Sequence, residues 1–315
     1  MVFIVWYMTL CIAALTPSGI ILTADSRQTY RNNAGMARIG TDNAVKLFKL
    51  TQKSAVVISG RAFFPDSQGV VKNAGWFIEE FKKSLKMDSS ISVREIAQQL
   101  NDFLIKVFFD PEEVRAKIFI QNEIGKMGGS DVVIHPRQAS ELPYSYIKDG
   151  QKIDRTFYVE TISFIVAGYD QDGIGRAFFV VVPGSPSDPL SRNTQSGGQL
   201  NIGQNDVMLR IVKGFAAEFY NSILVLEAKK SGLDVTKEMD KMEYIINWGS
   251  MTMQDSIDFC VLMTRITESV QRFSDGTFNT PGGITGVGGA IDIAKITPED
   301  DFQWIRKKEL VVDDR

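Results

Sequence analysis

A single histidine, His135, limits the hydrolytic chemistry that the side chains of this 315-residue chain could perform. Zinc motifs of the HExxH type need two histidines and are therefore excluded. A Ser-His-Asp or Cys-His mechanism would depend entirely on His135, which lies between a strand-like run at 132–134 and Pro136, without a nucleophile motif beside it. We expect a solvent-exposed loop histidine. If the chain is an enzyme, its general base is expected to be another group.

Two cysteines, Cys11 and Cys260, are too few for a disulfide framework or a zinc site. Both lie in apolar segments, which predicts small core residues and a reducing, cytoplasmic setting. The formal net charge of −3 gives no reason to expect a nucleic-acid partner or an anionic membrane surface. No metal and no cofactor is expected.

The apolar residues 2–15 resemble the core of a signal peptide, but they lack its basic start and a polar cleavage region. The run is also too short to cross a bilayer. The Thr-Pro-Ser-Gly sequence at 16–19, followed by another apolar run, instead predicts a turn between two strands.

The elements that must position any site alternate between short strands and longer helices. Strands are predicted at 10–15 and 20–25 as a hairpin, and at 45–50 and 55–59 as a second pair that ends at Gly60. An amphipathic helix is expected at 71–85. Ser92 and Glu95 form a capping box that opens a second helix. One face of that helix carries Val93, Ile96, Leu100, Phe103, Leu104 and Val107.

The turn-rich residues 121–158 indicate an insertion or an elaborated loop. The later elements are expected in this order: strands at 161–167 and 176–182, a loop at 185–198, long helices at 204–231 and 252–273 with a shorter one between them, a glycine-rich stretch at 276–289, and strands at 290–296 and 302–305. No linker divides the chain. We therefore predict one domain over residues 1–315, of the α+β class, as a four-layer αββα sandwich with loop insertions.

The segment from Thr9 to Arg27 resembles the opening of proteasome β-subunits, in which a nucleophilic threonine begins a strand and an acidic residue followed by arginine comes after the next one. Asp25 follows Thr9 by sixteen residues, as in that family. The segment at 45–48 is similar to the family's catalytic-lysine segment and supplies Lys46. Gly60, fourteen residues later, matches the glycine whose N–H binds the oxyanion. The loop between Asp25 and Lys46 is about five residues longer than in the family.

The likeness extends to the later strands. Residues 165–170, with the strand at 176–184, are similar to the family's central strands. Residues 288–297 look like its closing strand. The resemblance covers most of the chain outside the insertions, and the order and spacing of the segments are more specific than any one of them.

The resemblance implies a site that needs no histidine. An N-terminal threonine carries its base in its own α-amine, whose pKa of about 7.7–8.0 is close to working pH. A nearby Lys46 ammonium would lower that pKa further, and Asp25 would hold the lysine charged and oriented. The N–H of Gly60 would face the developing oxyanion. Arg27 follows Asp25 in the motif and is expected to support the site.

Taken singly, each residue also has an ordinary structural interpretation. Thr9 could be a strand residue, Asp25 with Arg27 a surface ion pair, Lys46 a solvated edge residue, and Gly60 the end of a strand. Their combined spacing favours the functional interpretation.

The sequence departs from the family pattern at three places. Residues 1–8 precede Thr9 as a leader or a misassigned start, and Met8 stands where self-processing relatives carry glycine. The family's Ser-Gly before its third helix is replaced by Ile202-Gly203, which makes Gly203 a supporting candidate. The nearest candidates for the family's Asp-x-x-Ser-Gly motif are Ser274 and Asp275. The segments at 203 and 286–289 look closer to the bacterial ancestral-β-subunit branch, and a start at Met8 would suit that branch or the bacterial heat-shock protease peptidase subunit.

We therefore expect a threonine peptidase that cleaves unfolded polypeptides or peptides inside a self-compartmentalised homo-oligomer, a ring or a related assembly, with an ATP-dependent unfoldase as a possible partner. Two alternatives stay open. One is a non-catalytic structural subunit of the same fold, in which residues 1–8 block Thr9. The other is an N-terminal-nucleophile amidase that acts on a small-molecule amide.

Overall fold

The structure is a computed structural model and describes residues 9–31, 37–85, 91–191, 197–277, 280–281 and 285–309. The possible leader at 1–8 lies outside the described residues. Portions of the expected loops at 185–198 and 276–289 also lie outside them.

The strands are named in chain order. Those of the first half are β1 (Leu10–Thr16), β2 (Gly19–Ala24), β3 (Gln28–Arg31), β4 (Ala37–Thr41), β5 (Leu47–Lys49), β6 (Ser54–Gly60), β7 (Phe63–Pro65), β8 (Val71–Asn73), β9 (Ser130–Ile134) and β10 (Glu141–Lys148). Those of the second half are β11 (Gln151–Tyr158), β12 (Ile162–Tyr169), β13 (Gly175–Val182), β14 (Leu190–Ser191), β15 (Gly198–Gly203), β16 (Gly276–Thr277), β17 (Thr280–Pro281), β18 (Asp292–Thr297) and β19 (Asp301–Arg306).

The helices fall into two blocks. They are α1 (Ala74–Ser84), α2 (Val93–Leu104), α3 (Asp110–Lys126), α4 (Asp206–Lys213), α5 (Ile223–Lys230), α6 (Val235–Asp240) and α7 (Met253–Phe273). A π-helical turn at Ile105–Phe109 joins α2 to α3, and 3₁₀ turns occupy Ala217–Asn221 and Trp248–Ser250.

Two five-stranded antiparallel sheets form the centre of the fold. The first has the strand order β15-β1-β2-β18-β19 and the second has the order β14-β13-β12-β6-β5. The predicted hairpin is confirmed as β1 and β2, with Thr16 opposite Gly19 across the turn. The predicted pairs β5–β6, β12–β13 and β18–β19 are confirmed as well.

The strands read as continuous apolar runs because they are buried on both faces. Cys11, Ala13 and Leu15 of β1 join a buried cluster that also holds residues of β6 and β12, so the two sheets face each other there. Leu10, Ile12 and Ala14 point the other way, into a cluster with α4 and α7. The outer face of the second sheet is buried against α1, α2 and α3.

Two of the helices, α2 and α7, begin where capping boxes satisfy the first backbone N–H groups. Ser92 and Glu95 form the predicted capping box of α2. Thr252 and Asp255 form another at the start of α7. The expected helix at 71–85 begins three residues later because β8 occupies its first residues.

Two sequence expectations are corrected. Residues 121–158 are not a loop: they contain the end of α3 and a three-stranded antiparallel sheet, β9-β10-β11, whose turns carry the polar residues that suggested irregular chain. The expected helix at 204–231 is broken after α4, since Gly214 adopts a left-handed conformation with φ of 79° and ends that helix. The chain therefore has a mixed α/β fold built on antiparallel sheets. Among the described residues, every helix is too short or too polar to span a membrane.

Candidate functional site

The carboxylate of Asp25 is the centre of a buried polar cluster at one end of the first sheet. Asp25 follows the last residue of β2 and is fully buried. Its Oδ1 accepts hydrogen bonds from Lys46 Nζ at 2.7 Å, from Thr9 Oγ1 at 3.1 Å and from the backbone N–H of Leu10 at 3.1 Å. One oxygen therefore brings three of the predicted site residues together, although they come from separate parts of the chain.

Within the described part of the chain, the second oxygen of Asp25 is held by backbone N–H groups alone. Oδ2 accepts from the N–H of Arg27 at 3.1 Å and from the N–H of Gly288 at 3.0 Å. The Gly288 carbonyl in turn accepts from the N–H groups of Ser26 and Arg27. A buried carboxylate without partners would be costly, and these donors satisfy it and fix its orientation.

Lys46 reaches the carboxylate from the residue before β5. Its side chain is almost fully buried, and Nζ donates to the carbonyl of Arg27 as well as to Asp25. Its own carbonyl accepts from Ile58 N–H at 3.0 Å, which ties it to β6. The ammonium is thus fixed between two acceptors rather than extended into solvent, and the interpretation of Lys46 as a solvated edge residue is wrong.

Thr9 lies immediately before β1 and is 3% exposed. Its carbonyl accepts from the N–H of Gln204 at 2.6 Å, and the neighbouring Leu10 pairs with Gly203 on β15. Gly203 has φ of 93°, a left-handed conformation that favours glycine. The predicted supporting glycine therefore contacts the predicted nucleophile directly.

Gly60 ends β6 with φ of 118° and pairs with Ile162 of β12. A Cβ there would lie 2.6 Å from the carbonyl oxygen of Thr161, so the backbone conformation requires glycine. Cys11 Sγ lies 3.6 Å from the Ile58 carbonyl, which brings the start of β1 to the end of β6. Gly60 follows two residues later, as the last residue of β6.

Arg27 forms a separate network beside this cluster. Its guanidinium binds both oxygens of Asp42, at 2.7 and 3.0 Å, and donates to Thr285 Oγ1 and the Val287 carbonyl. The hydrogen bond with Arg27 lowers the pKa of Asp42, and the same bond raises the pKa of Arg27. Arg27 therefore ties the Asp25 turn to the chain around Val287. The supporting role of Arg27 stays a prediction, and its contacts do not make it a reacting group.

Ser274 and Asp275 are not brought to the cluster. They follow the last residue of α7 and are exposed. Among the described residues, the hydrogen bonds around Thr9 and Asp25 include neither of them. Their side chains leave the helix end toward solvent, and the structure places Gly288 next to Asp25 instead.

The alternative nucleophile systems find no support in the structure. His135 is exposed and its Nε2 lies 3.5 Å from Ser145 Oγ, far in sequence from the cluster. Burial raises the pKa of the Cys11 thiol, and it raises that of Cys260 to about 12. Both cysteines are therefore core thiols, because burial disfavours the reactive thiolate.

No family model matches the chain, and no curated protein matches it. Three solved structures of Anbu proteins resemble its fold. The Anbu Gly-1 mutant from Hyphomicrobium sp. strain MC1 is 12% identical, with 97% of this chain and 88% of that chain covered and a TM-score of 0.45. Anbu, the ancestral beta-subunit, from Yersinia bercovieri is 11% identical, with 95% and 88% covered and a TM-score of 0.46. The helical assembly of the Anbu complex from Pseudomonas aeruginosa is 12% identical, with 95% and 88% covered and a TM-score of 0.44.

Two backbone groups of the site were missed by sequence reasoning. The Gly288 N–H binds Asp25, and the Gln204 N–H binds the Thr9 carbonyl. Backbone donors carry no side-chain signature, so residue type alone could not reveal them. The glycine-rich run at 286–289 was an available signal, because glycine permits close backbone approach.

Proposed function

We propose that this chain is a threonine-type N-terminal-nucleophile peptidase in which Thr9 is the nucleophile. The observation that carries the proposal is the shared oxygen: Thr9 Oγ1 and Lys46 Nζ both bond to Oδ1 of the buried Asp25. A threonine hydroxyl, an ammonium and a carboxylate in contact, where a strand begins, are the groups that this chemistry requires.

The reaction follows from these positions once Thr9 is the first residue. The α-amine of Thr9 takes the proton of Oγ1 as Oγ1 attacks the peptide carbonyl carbon, and the carbonyl electrons move to its oxygen. The Gly60 N–H is proposed to donate to that oxyanion. Collapse breaks the C–N bond, the α-ammonium protonates the leaving amine, and an ester remains on Thr9. Water, deprotonated by the same amine, hydrolyses the ester and restores the hydroxyl.

Lys46 and Asp25 have complementary roles in this scheme. The buried ammonium disfavours a second positive charge nearby and so favours the neutral, basic form of the α-amine. Asp25 holds the ammonium in place and also orients the Thr9 hydroxyl. No metal or cofactor is needed for any of these steps.

The wider proposal is a four-layer αββα sandwich of the N-terminal-nucleophile hydrolases, acting in the cytoplasm on unfolded polypeptides or peptides. We propose a homo-oligomer, because several large apolar side chains in the second helical block are exposed in the single chain. Ile245 is 97% exposed, Ile223 73% and Tyr244 68%. A ring or a related assembly would cover them, and an ATP-dependent unfoldase would supply extended substrate.

A specific observation also supports a second candidate, a non-catalytic structural subunit. Thr9 is 3% exposed, and its hydroxyl is already bonded to Asp25. A substrate carbonyl must reach Oγ1, so a Thr9 that stays buried within a longer chain would be inert.

The decisive experiment combines intact-mass measurement of the purified protein with labelling by a peptide epoxyketone, which reacts with both the hydroxyl and a free α-amine. The full chain is compared with a shortened chain that begins Met8-Thr9. We expect an N-terminus at Thr9 in the active form and one covalent adduct on it. A protein with Thr9 exposed that forms no adduct would refute the mechanism, and retention of residues 1–8 would support the structural subunit.

The matched variants are Thr9→Ala and Thr16→Ala. Both variants replace a buried threonine at an end of β1, with Thr9 just before the strand and Thr16 its last residue. Among the residues that the structure describes, Thr16 Oγ1 bonds only to the Gly19 carbonyl. We expect Thr9→Ala to lose about 10³-fold or more in peptidase activity while staying folded. Thr16→Ala should keep its activity, and wild-type activity in Thr9→Ala would exclude this nucleophile.

A further inference from the structure

The side-chain amide of Gln271 links the two backbone segments that hold Thr9 and Asp25. Gln271 lies in the last turn of α7. Its Oε1 accepts from the N–H groups of Gly286 and Val287, both at 3.0 Å. One acceptor thus holds two consecutive amides of the segment that leads to Gly288.

The other end of the same amide bonds to the residue that follows β15. Gln271 Nε2 donates to Gln204 Oε1 at 2.9 Å. Gln204 in turn donates its backbone N–H to the Thr9 carbonyl at 2.6 Å. Gln204 is therefore bonded to Thr9 by its main chain and to α7 by its side chain.

The two segments that Gln271 links, Gln204 and residues 286–288, both bond to the proposed reacting groups. The 286–288 segment ends in the Gly288 N–H, which donates to Asp25 Oδ2 at 3.0 Å. Asp25 Oδ1 accepts from the Thr9 hydroxyl. Within the described residues Gln271 has no hydrogen bond to Thr9 or Asp25. It bonds directly to Gln204, the main-chain partner of Thr9, and to Val287, the residue before Gly288, which is a main-chain partner of Asp25.

We propose that Gln271 is a positioning residue for the Thr9 nucleophile, a role that rests on the proposed function. Its amide supplies one acceptor and one donor at once, so it sets the separation between the Gln204 backbone that holds Thr9 and the Gly288 backbone that holds Asp25. A shift of about 1 Å between a nucleophile and its partner costs roughly 10²-fold in rate, so a group outside direct contact can control reactivity.

The test uses Gln271→Met, Gln204→Met and the double variant, because methionine keeps the length of the side chain and removes its hydrogen bonds. Gln254→Met is the matched control, since Gln254 is on the same helix and its side chain donates to Asp258 at the surface. The measurement is epoxyketone labelling of Thr9, separated into the maximal inactivation rate and the inhibitor concentration for half-maximal rate, together with the thermal midpoint Tm.

We expect both single variants to reduce the maximal inactivation rate by about tenfold or more, with little change in the half-maximal concentration. The double variant should be no slower than the slower single variant, because the two residues act through one hydrogen bond. The control should match the wild type. Wild-type labelling in Gln271→Met, or fully additive losses in the double variant, would overturn the proposal. The proposal would also be overturned if the maximal inactivation rate fell in proportion to Tm in all variants, since that would indicate a merely structural residue.

A second readout does not depend on activity and separates this proposal from the proposed function. Hydrogen exchange is followed at Gly286 and Val287, and at the Leu10 amide, which donates to Asp25 Oδ1. In Gln271→Met we expect faster exchange at Leu10 as well as in the 286–288 segment. Faster exchange confined to 286–288 would refute the positioning role even in an unreactive protein. An unlabelled wild type with Thr9 exposed would instead refute the nucleophile.

Discussion

The Cα of Gly203 faces the carbonyl of Thr9 so closely that a Cβ at Gly203 would lie 1.8 Å from the Thr9 oxygen. Non-bonded carbon and oxygen atoms cannot come this close. The end of β15 and the start of β1 can therefore pack together only because residue 203 has no side chain. The replacement Gly203→Ala would force Thr9 away from Gln204 and Asp25.

We predict that Gly203→Ala destabilises the protein by about 3 kcal/mol, from overpacking together with left-handed strain, and that it abolishes labelling of Thr9. Urea unfolding measures the free energy. Gly69→Ala is the control, because Gly69 has φ of 81° with nothing within 4 Å of its Cβ position and tests the strain alone. The free energy of unfolding of Gly69→Ala should fall by only about 1 kcal/mol. Equal losses in the two variants would show that the contact with Thr9 is unimportant.

Lys46 is predicted to be essential for reactivity. Lys46→Met removes the charge while keeping most of the side-chain length, and it leaves the buried Asp25 without its charged partner. We expect peptidase activity to fall by about 10²-fold or more. Lys49→Met is the comparison, since Lys49 lies on the adjacent β5 and bonds to Gln52 at the surface. Activity is measured on a fluorogenic peptide, and equal activity in the two variants would remove Lys46 from the mechanism.

Removing one partner of the buried Lys308–Asp292 pair should destabilise the protein strongly, whereas replacing both partners by apolar residues should destabilise it much less. The side chains are 8% and 1% exposed, and Lys308 donates to Asp292 through both its backbone N–H and its Nζ. Lys308→Met alone should cost about 3–5 kcal/mol, because it leaves a buried carboxylate without its counter-charge. The double variant Lys308→Met/Asp292→Leu should recover much of that loss. Unfolding measurements that give the double variant the larger loss would contradict this account.

Acid sensitivity is predicted at the Arg27–Asp42 pair. The bond from Arg27 lowers the pKa of Asp42 below its ordinary value of 3.8, so the folded state gains stability from the ionised form above that pH. This gain is lost as the pH falls through the lowered pKa. The Tm of Asp42→Asn should therefore fall less steeply than that of the wild type below about pH 4. Glu79→Gln, which breaks an exposed pair on α1, serves as the control, and identical slopes for Asp42→Asn and the wild type would contradict the prediction.

Ser59, the residue before Gly60, has a buried hydroxyl with no hydrogen-bond partner among the described residues. Removing an unsatisfied buried polar group relieves its desolvation cost. Ser59→Ala should therefore be neutral or more stable by up to about 1 kcal/mol. Ser54→Ala is the contrast, since Ser54 Oγ is bonded to Thr51 and should lose stability. A clear loss in Ser59→Ala would show that its hydroxyl has a partner in solution.

Local patterns carried the prediction of most elements. The β1–β2 hairpin, the later strand pairs and the α2 capping box follow from apolar runs, turn residues and short-range hydrogen bonds, which are encoded within a few residues of one another. The interpretation of 121–158 as an elaborated loop was wrong because β9 and β11 are mostly exposed and only β10 carries buried residues, so their polar residues and turns resemble irregular chain. The break at Gly214 went unnoticed because apolar spacing continues on both sides of it.

The sequence by itself determined that sites which need two histidines are excluded, and its resemblance to proteasome β-subunits predicted Thr9, Asp25, Lys46 and Gly60 as site residues. Only the tertiary structure decided that Thr9 and Lys46 share one oxygen of Asp25, that Gly203 contacts Thr9, and that Gly288 rather than Ser274 or Asp275 completes the Asp25 shell. The physical reason is that these contacts join groups up to 263 residues apart, and the Gly288 contact uses a backbone N–H donor that every residue type except proline carries. Such donors are specified by how the sheets and α7 pack together, which no local pattern in the chain records.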